Sequence, residues 1–263
     1  MKLAISNLAW NADIEDNVLE LMKRFGFSGM EIAPTKIFPE QPYDRCDDAR
    51  IWADKLFCEH GIEVCSMQSI WFGRKEKMFP DAKEREILLD YTKRAMLFAQ
   101  SVGAKNLVFG CPKSRCVENE SDEALAKEFF AELGKFAIEH DTVLSIEPNP
   151  PIYGTNYINT TEQAFALVDE IHSEGLKVNI DMGTIIANEE SCDALAGRVG
   201  SINHVHISEP FLKLIERREL HWQLADVLRN EGYDRYVSIE MSSCASLSQL
   251  EDTFRYVSDV FLK

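Results

Sequence analysis

Eight times along its 263 residues the chain passes from a short run of β-formers into a stretch of helical periodicity. The strand candidates are Leu3–Ser6, Gly29–Ala33, Glu63–Met67, Asn106–Gly110, Val143–Glu147, Lys177–Asp181, Ile202–Ile207 and Tyr236–Met241. Between them, apolar residues recur three and four apart. Ile87, Tyr91, Ala95, Phe98 and Val102 form one such stripe, Leu125, Phe129, Leu133 and Phe136 a second, and Leu250, Phe254, Val257 and Phe261 a third. That spacing is the period of a helix and not of a strand. Gly26, Gly61, Gly103, Gly175 and Gly232 stand where a helix must stop before the next strand. Thr160-Thr161-Glu162 and Ser246-Leu247-Ser248-Gln249 read as helix N-caps, and Ser121 with Ala124 as a weaker start.

Strands that alternate with helices pair in parallel through right-handed crossovers. Eight units of roughly 33 residues each match a closed (β/α)8 barrel. A doubly wound open sheet is the rival, but its glycine-rich loop should follow the first strand, where Asn7-Leu8-Ala9-Trp10 stands instead. With no linker or low-complexity tract, residues 1–263 are expected to form one domain.

Four of the strand candidates end on a group that can hold a cation. Val143-Leu144-Ser145-Ile146 runs into Glu147, Val178-Asn179-Ile180 into Asp181, His204-Val205 into His206, and Tyr236-Val237-Ser238-Ile239 into Glu240. A carboxylate closing an apolar strand is costly to bury unless positive charge meets it. In a barrel the four ends belong to neighbouring strands at the same level, where chemistry gathers. Three carboxylates and one imidazole make a hard, oxygen-rich donor set, which favours Mn²⁺, with Mg²⁺, Co²⁺ or Zn²⁺ also accommodated. Without a cation the carboxylates would repel one another and partly protonate. His204 shares a face with His206 but lies one layer deeper, as a core histidine.

The charge balance excludes several classes. With 28 basic and 44 acidic residues the chain carries −16, unsuited to binding nucleic acid through phosphates. No apolar run approaches the roughly 18 residues of a membrane span. The N-terminus, Met1-Lys2-Leu3-Ala4-Ile5-Ser6-Asn7, reads as a strand and not as a signal peptide. Seven cysteines without a Cys-x-x-Cys pair point to reduced thiols and a cytoplasmic location. A homo-oligomer would suit the architecture, although no surface stripe marks one.

On the motifs Ser145-Ile146-Glu147-Pro148-Asn149, Asn179-Ile180-Asp181-Met182-Gly183-Thr184, His204-Val205-His206-Ile207-Ser208-Glu209 and Ser238-Ile239-Glu240, the sequence resembles the xylose-isomerase-like TIM-barrel superfamily. That group comprises sugar and sugar-phosphate isomerases and epimerases and also zinc AP endonucleases. The resemblance implies that Glu147, Asp181, His206 and Glu240 hold one divalent ion, and that Glu147 and Glu240 flank the substrate as acid/base groups. The sequence also departs from its relatives. The nucleases need further histidines, where this chain has Gln68, Gly110-Cys111 and Thr184. Ketose 3-epimerases of the group use a histidine, a glutamate and an arginine at the positions of Thr184, Tyr153 and Leu212, so the grip on substrate differs here.

The expected chemistry is abstraction of a proton alpha to a carbonyl in a sugar, sugar phosphate or keto-acid, through an enediolate. Return of the proton gives isomerisation or epimerisation, whereas loss of a β-hydroxyl makes the same site a dehydratase. A barrel that only binds is the non-catalytic alternative. Lys113 and Arg115, after the fourth strand, are expected at the mouth as phosphate or carboxylate contacts, or else as solvated loop charges. Gln68 and Asn149 could bond substrate hydroxyls or cap loops. Tyr153, Trp10, Trp71 and Phe72 could shield or stack on a sugar. Glu209 is placed to meet the ion or a substrate cation, and His221 to cap its helix or touch substrate.

Overall fold

The computed structural model describes residues 1–244 and 246–263. Its eight strands close into a parallel barrel in sequence order. They are β1 (Lys2–Ser6), β2 (Phe27–Ile32), β3 (Glu63–Met67), β4 (Leu107–Phe109), β5 (Leu144–Ile146), β6 (Leu176–Asp181), β7 (Ile202–Ile207) and β8 (Tyr236–Ile239). The barrel closes where Leu3 and Ile5 of β1 pair with Val237 and Ile239 of β8. Outside it run α1 (Glu15–Phe25), the single turn α2 (Pro34–Ile37), α3 (Cys46–His60), α4 (Ala82–Val102), α5 (Ser121–Glu139), α6 (Thr161–Ile171), α7 (Met182–Ala187), α8 (Glu219–Asn230) and α9 (Leu247–Phe261).

The helices seat their apolar stripes on the barrel wall. Phe254 of α9 meets Phe27 of β2 edge-on at 4.6 Å between ring centres. In α4 the buried residues are Leu88, Thr92, Ala95, Met96, Phe98, Ala99 and Val102. Ile87, expected at its head, is 45% exposed, because Trp71 donates to the Thr92 hydroxyl at 2.8 Å and turns that face inward. Thr160 forms a full capping box with Gln163, and Ser246 caps α9 through Gln249 N. At α5 the start is held by Asp122, whose carboxylate accepts from the N–H groups of Glu118 and Asn119.

Gly26, Gly61 and Gly103 close their helices in the left-handed region, with φ of 78, 69 and 78°. Gly175 has a different reason. A Cβ there would lie 1.9 Å from the carbonyl oxygen of Gly134, so two glycines let α5 pass the start of β6.

Barrel interiors are commonly filled by branched aliphatic side chains. This one is polar: Ser6, Glu31, Ser66, Gln68, Asn106, Ser145, Asn179, His204, His206 and Ser238 are all buried. They bond across strands, as in Asn106 Nδ2 to Ser66 Oγ at 2.8 Å and Gln68 Nε2 to Ser6 Oγ at 2.8 Å. Strands β5 and β8 stop one residue short of Glu147 and Glu240. Each glutamate still donates its backbone N–H to the neighbouring strand, Glu147 to Phe109 O at 3.0 Å and Glu240 to Ile207 O at 2.9 Å. Both side chains therefore start from the rigid sheet.

Candidate metal centre and its cavity

At the C-terminal ends of β5 to β8, ligand atoms of Glu147, Asp181, His206 and Glu240 all lie within 4.8 Å of one another. His206 Nδ1 stands 3.0 Å from Glu147 Oε1, 3.3 Å from Glu240 Oε2 and 4.0 Å from Asp181 Oδ2. Neighbours fix each carboxylate. Glu147 accepts from Asn179 Nδ2 at 2.8 Å on one oxygen and from Asn149 Nδ2 at 3.1 Å on the other. Asp181 caps α7, taking Thr184 N at 2.6 Å and the Thr184 hydroxyl at 2.9 Å on Oδ1, and the Ser208 hydroxyl at 2.6 Å on Oδ2. Gly110 leaves room for Glu147, since a Cβ there would lie 2.5 Å from its Oε2.

Burial, then the nearby Glu147 and Glu240 charges, push the Asp181 carboxyl up to about 7. Burial also raises Glu240, against the pull of His206 and with the help of Glu147 and Glu31. His206 moves the other way: burial disfavours its charge, but Glu31 and Glu240 outweigh that and hold the imidazole well above its ordinary value. One imidazole thus serves a site short of positive charge. Three oxygen donors and one nitrogen at this spacing fit a divalent ion of the Mg²⁺, Mn²⁺ or Zn²⁺ type.

Sequence reasoning missed Glu31. This fully buried carboxylate of β2 lies 3.0 Å from both His206 Nε2 and His204 Nε2 and also accepts from Gln68 Nε2 at 3.0 Å. Burial alone would raise it, yet His206 and His204 hold it well below the usual carboxylate range. With Nε2–H donated to Glu31, the ring of His206 presents Nδ1 to the three carboxylates, the orientation a ligating histidine needs. The one signal in the sequence was a charge inside Gly29-Met30-Glu31-Ile32.

The centre opens into a cavity of about 250 Å³ that Gln68, Asn149, Tyr153 and Glu209 help to line. Gln68 spends its amide on Ser6 and Glu31. Tyr153 accepts Phe211 N on its hydroxyl at 2.8 Å and meets the Phe211 ring edge-on, tying the loop after β5 to the loop after β7. Both oxygens of Glu209 are held by the Arg218 fork at 2.7 and 2.6 Å, a partner the sequence pattern did not reveal.

Three expected contacts stand elsewhere. Arg115 is fully buried beneath the mouth. Its guanidinium donates to Glu147 O at 2.9 Å, Asn149 Oδ1 at 3.1 Å, Ile158 O at 3.2 Å and Phe109 O at 3.4 Å, so it braces the loop that carries Glu147. Burial lowers it to about 10. His221 is fully buried in α8, with Nδ1 2.9 Å from the Tyr256 hydroxyl, and burial and then Arg218 lower it to about 4. Lys113 is exposed and borders an adjoining cavity. Among the aromatics, Trp10 and Trp71 are packed in the core and Phe72 stays exposed. No helix among the described residues is long and apolar enough to cross a membrane.

A family model described as xylose isomerase-like TIM barrel matches residues 19–259. No curated protein matches the sequence. Among solved structures, 3-keto-D-glucoside 4-epimerase from E. coli is 19% identical with a TM-score of 0.77, over 98% of this chain and 99% of that one. D-psicose 3-epimerase from Clostridium cellulolyticum H10, solved with D-tagatose, is 18% identical with a TM-score of 0.78, over 100% and 98%. The IOLI protein, solved with a zinc atom, is 18% identical with a TM-score of 0.70, over 100% and 95%. At these identities the likeness is one of fold.

Proposed function

Because the chain belongs to the xylose isomerase-like TIM-barrel family, we propose that it is a divalent-metal-dependent sugar isomerase or epimerase working by proton transfer alpha to a carbonyl. The observation that carries this reading is that Glu147 and Glu240 border one cavity together with Asp181. Glu147, Asp181, His206 and Glu240 would hold the ion, Mn²⁺ being the first choice for so oxygen-rich a set. When bound, a divalent ion supplies Lewis acidity that favours negative charge on a substrate oxygen.

The remaining work falls to the chain's own side chains. Glu147 and Glu240 come from β5 and β8, so a sugar between them would meet a carboxyl group on each side. One removes the proton and the other returns one, and their roles exchange when the opposite epimer enters. Asn179 and Asn149 keep Glu147 from swinging away between these steps. The fork of Arg218 fixes Glu209 at the cavity wall, and Tyr153 with Phe211 shields the opening from water.

The test is incorporation of solvent deuterium. Chelator-stripped protein reloaded with Mn²⁺ is incubated in D₂O with keto-sugars, their phosphates and keto-acids, and C–H exchange is followed by NMR. Exchange should require the metal and vanish in Glu240→Gln. Full exchange in that variant would remove Glu240 from proton transfer, and a dehydrated product would assign the site to lyase chemistry.

A further inference from the structure

Beside the catalytic cavity lies a second one of about 320 Å³, bordered by Trp71, Phe72, Arg74 and Lys113 and sharing Ser69, Cys111 and Pro112 with the first. The inner cavity, about 250 Å³, falls just below the ordinary range of ligand sites, roughly 300–1,000 Å³, and the two together lie within it. Two shared residues carry a backbone signature. Ser69 and Cys111 are left-handed, with φ of 55 and 50°, a conformation that costs a non-glycine residue on the order of 1 kcal/mol or more. Both left-handed residues stand where the linings of the two cavities overlap, one after β3 and one after β4.

The walls of the outer cavity say what it takes. Phe72 is 68% exposed, an aromatic face largely uncovered by the described residues, and Pro112 adds a second apolar surface. The charge of Arg74 is met by Glu76, and its guanidinium lies 4.8 Å from the centre of the Tyr91 ring. Lys113 makes no ion pair among the described residues, and its carbonyl oxygen is held by Lys77 Nζ at 2.5 Å. One flexible ammonium beside apolar walls can donate to hydroxyl groups, and phosphate sites in such barrels are more often built from the loops after strands seven and eight.

We propose that the two cavities form one substrate site, and that the substrate is a keto-sugar bearing a second sugar ring. This rests on the proton-transfer reading of the inner cavity. The reacting ring lies at Glu147 and Glu240, while the second ring packs on Phe72 and Pro112 with Lys113 donating to its hydroxyls. Free monosaccharides fill only the inner half.

Deuterium exchange on matched ketoses tests this in the Mn²⁺-loaded protein. The probes are D-fructose, the two-ring ketoses isomaltulose and maltulose, and D-fructose 6-phosphate. At least one two-ring ketose should exchange with a kcat/KM about tenfold or more above D-fructose, the worth of one good ring contact, about 1.4 kcal/mol. Phe72→Ala should collapse that ratio. Equal rates for one and two rings, with a ratio indifferent to Phe72→Ala, would overturn the inference and leave the proton-transfer reading intact. A preference for D-fructose 6-phosphate that Lys113→Ala abolishes would overturn it in favour of an anionic substituent. No exchange with any ketose, in protein shown to bind Mn²⁺, would overturn the proton-transfer reading and this inference with it.

Discussion

Replacing Arg115 by Met separates a structural brace from a substrate contact. The guanidinium meets four acceptors, but two keep another donor when it is gone: Phe109 O receives Glu147 N and Ile158 O receives Asn149 N, each at 3.0 Å. Glu147 O and Asn149 Oδ1 would each lose their one protein donor among the described residues. An orphaned buried acceptor costs about 1–3 kcal/mol, so the pair costs roughly 2–6. Against this, the fold already carries a charge it disfavours. Burial has lowered Arg115 from 12.5 to about 10, worth about 3 kcal/mol at ~1.4 kcal/mol per pH unit, and Met removes that burden. Lost packing over the Phe109 ring, whose centre lies 5.9 Å from the guanidinium carbon, works in the opposite sense. The two opposing terms leave roughly −1 to 3 kcal/mol before packing is counted, so a net loss of up to about 3 kcal/mol is expected, which lowers Tm by up to roughly 12 °C in a chain of this size. Because Asn149 also holds the Glu147 carboxylate, Mn²⁺ affinity should fall about tenfold. Thermal denaturation of the metal-free protein and calorimetric Mn²⁺ titration measure the two effects. Arg115→Lys should recover only part of either, since one ammonium cannot reach all four acceptors. A variant with wild-type Tm and metal affinity but a raised KM would refute the brace and return Arg115 to the substrate.

Two other perturbations probe the same framework. His221 has a folded value of about 4 against 6.5, so the unfolded chain binds the extra proton and stability drops as the pH is lowered. That contribution is whole above pH 6.5 and lost progressively towards pH 4, up to about 3 kcal/mol. Urea denaturation at pH 7, 5.5 and 4 should show a shallower decline for His221→Gln, and parallel declines would sink the assignment. Glu31→Gln keeps the shape but weakens the acceptor that orients His206, and Mn²⁺ affinity should drop about 10–100-fold. Unchanged affinity by calorimetry would mean that the β7 packing alone sets the ring.

How much of this was legible beforehand follows from which interactions are local. The alternation of strands and helices is a pattern of neighbours in sequence, and with the crossover rule it implied the closed barrel. The strand-end positions of Glu147, Asp181, His206 and Glu240 were readable in the same way, because a charge closing an apolar β-run is itself a local anomaly. The register of α4 was misjudged at Ile87, since a helix turns the face its tertiary partner selects, here the bond from Trp71 to Thr92. Gly175 looked like a helix stop, and its role is a close approach to Gly134 that no local rule contains.

The sequence by itself determined the architecture and the kinds of donor that meet at the top of the barrel. Only the tertiary structure decided what each polar group is bonded to. Glu31 reaches His206 from the far side of the barrel, Arg218 clasps Glu209, and Arg115 turns inward under Glu147 instead of outward to solvent. Long polar side chains can satisfy a bond in several directions, and burial removes water as the default partner. Their final geometry is therefore a property of the closed barrel and not of any segment within it.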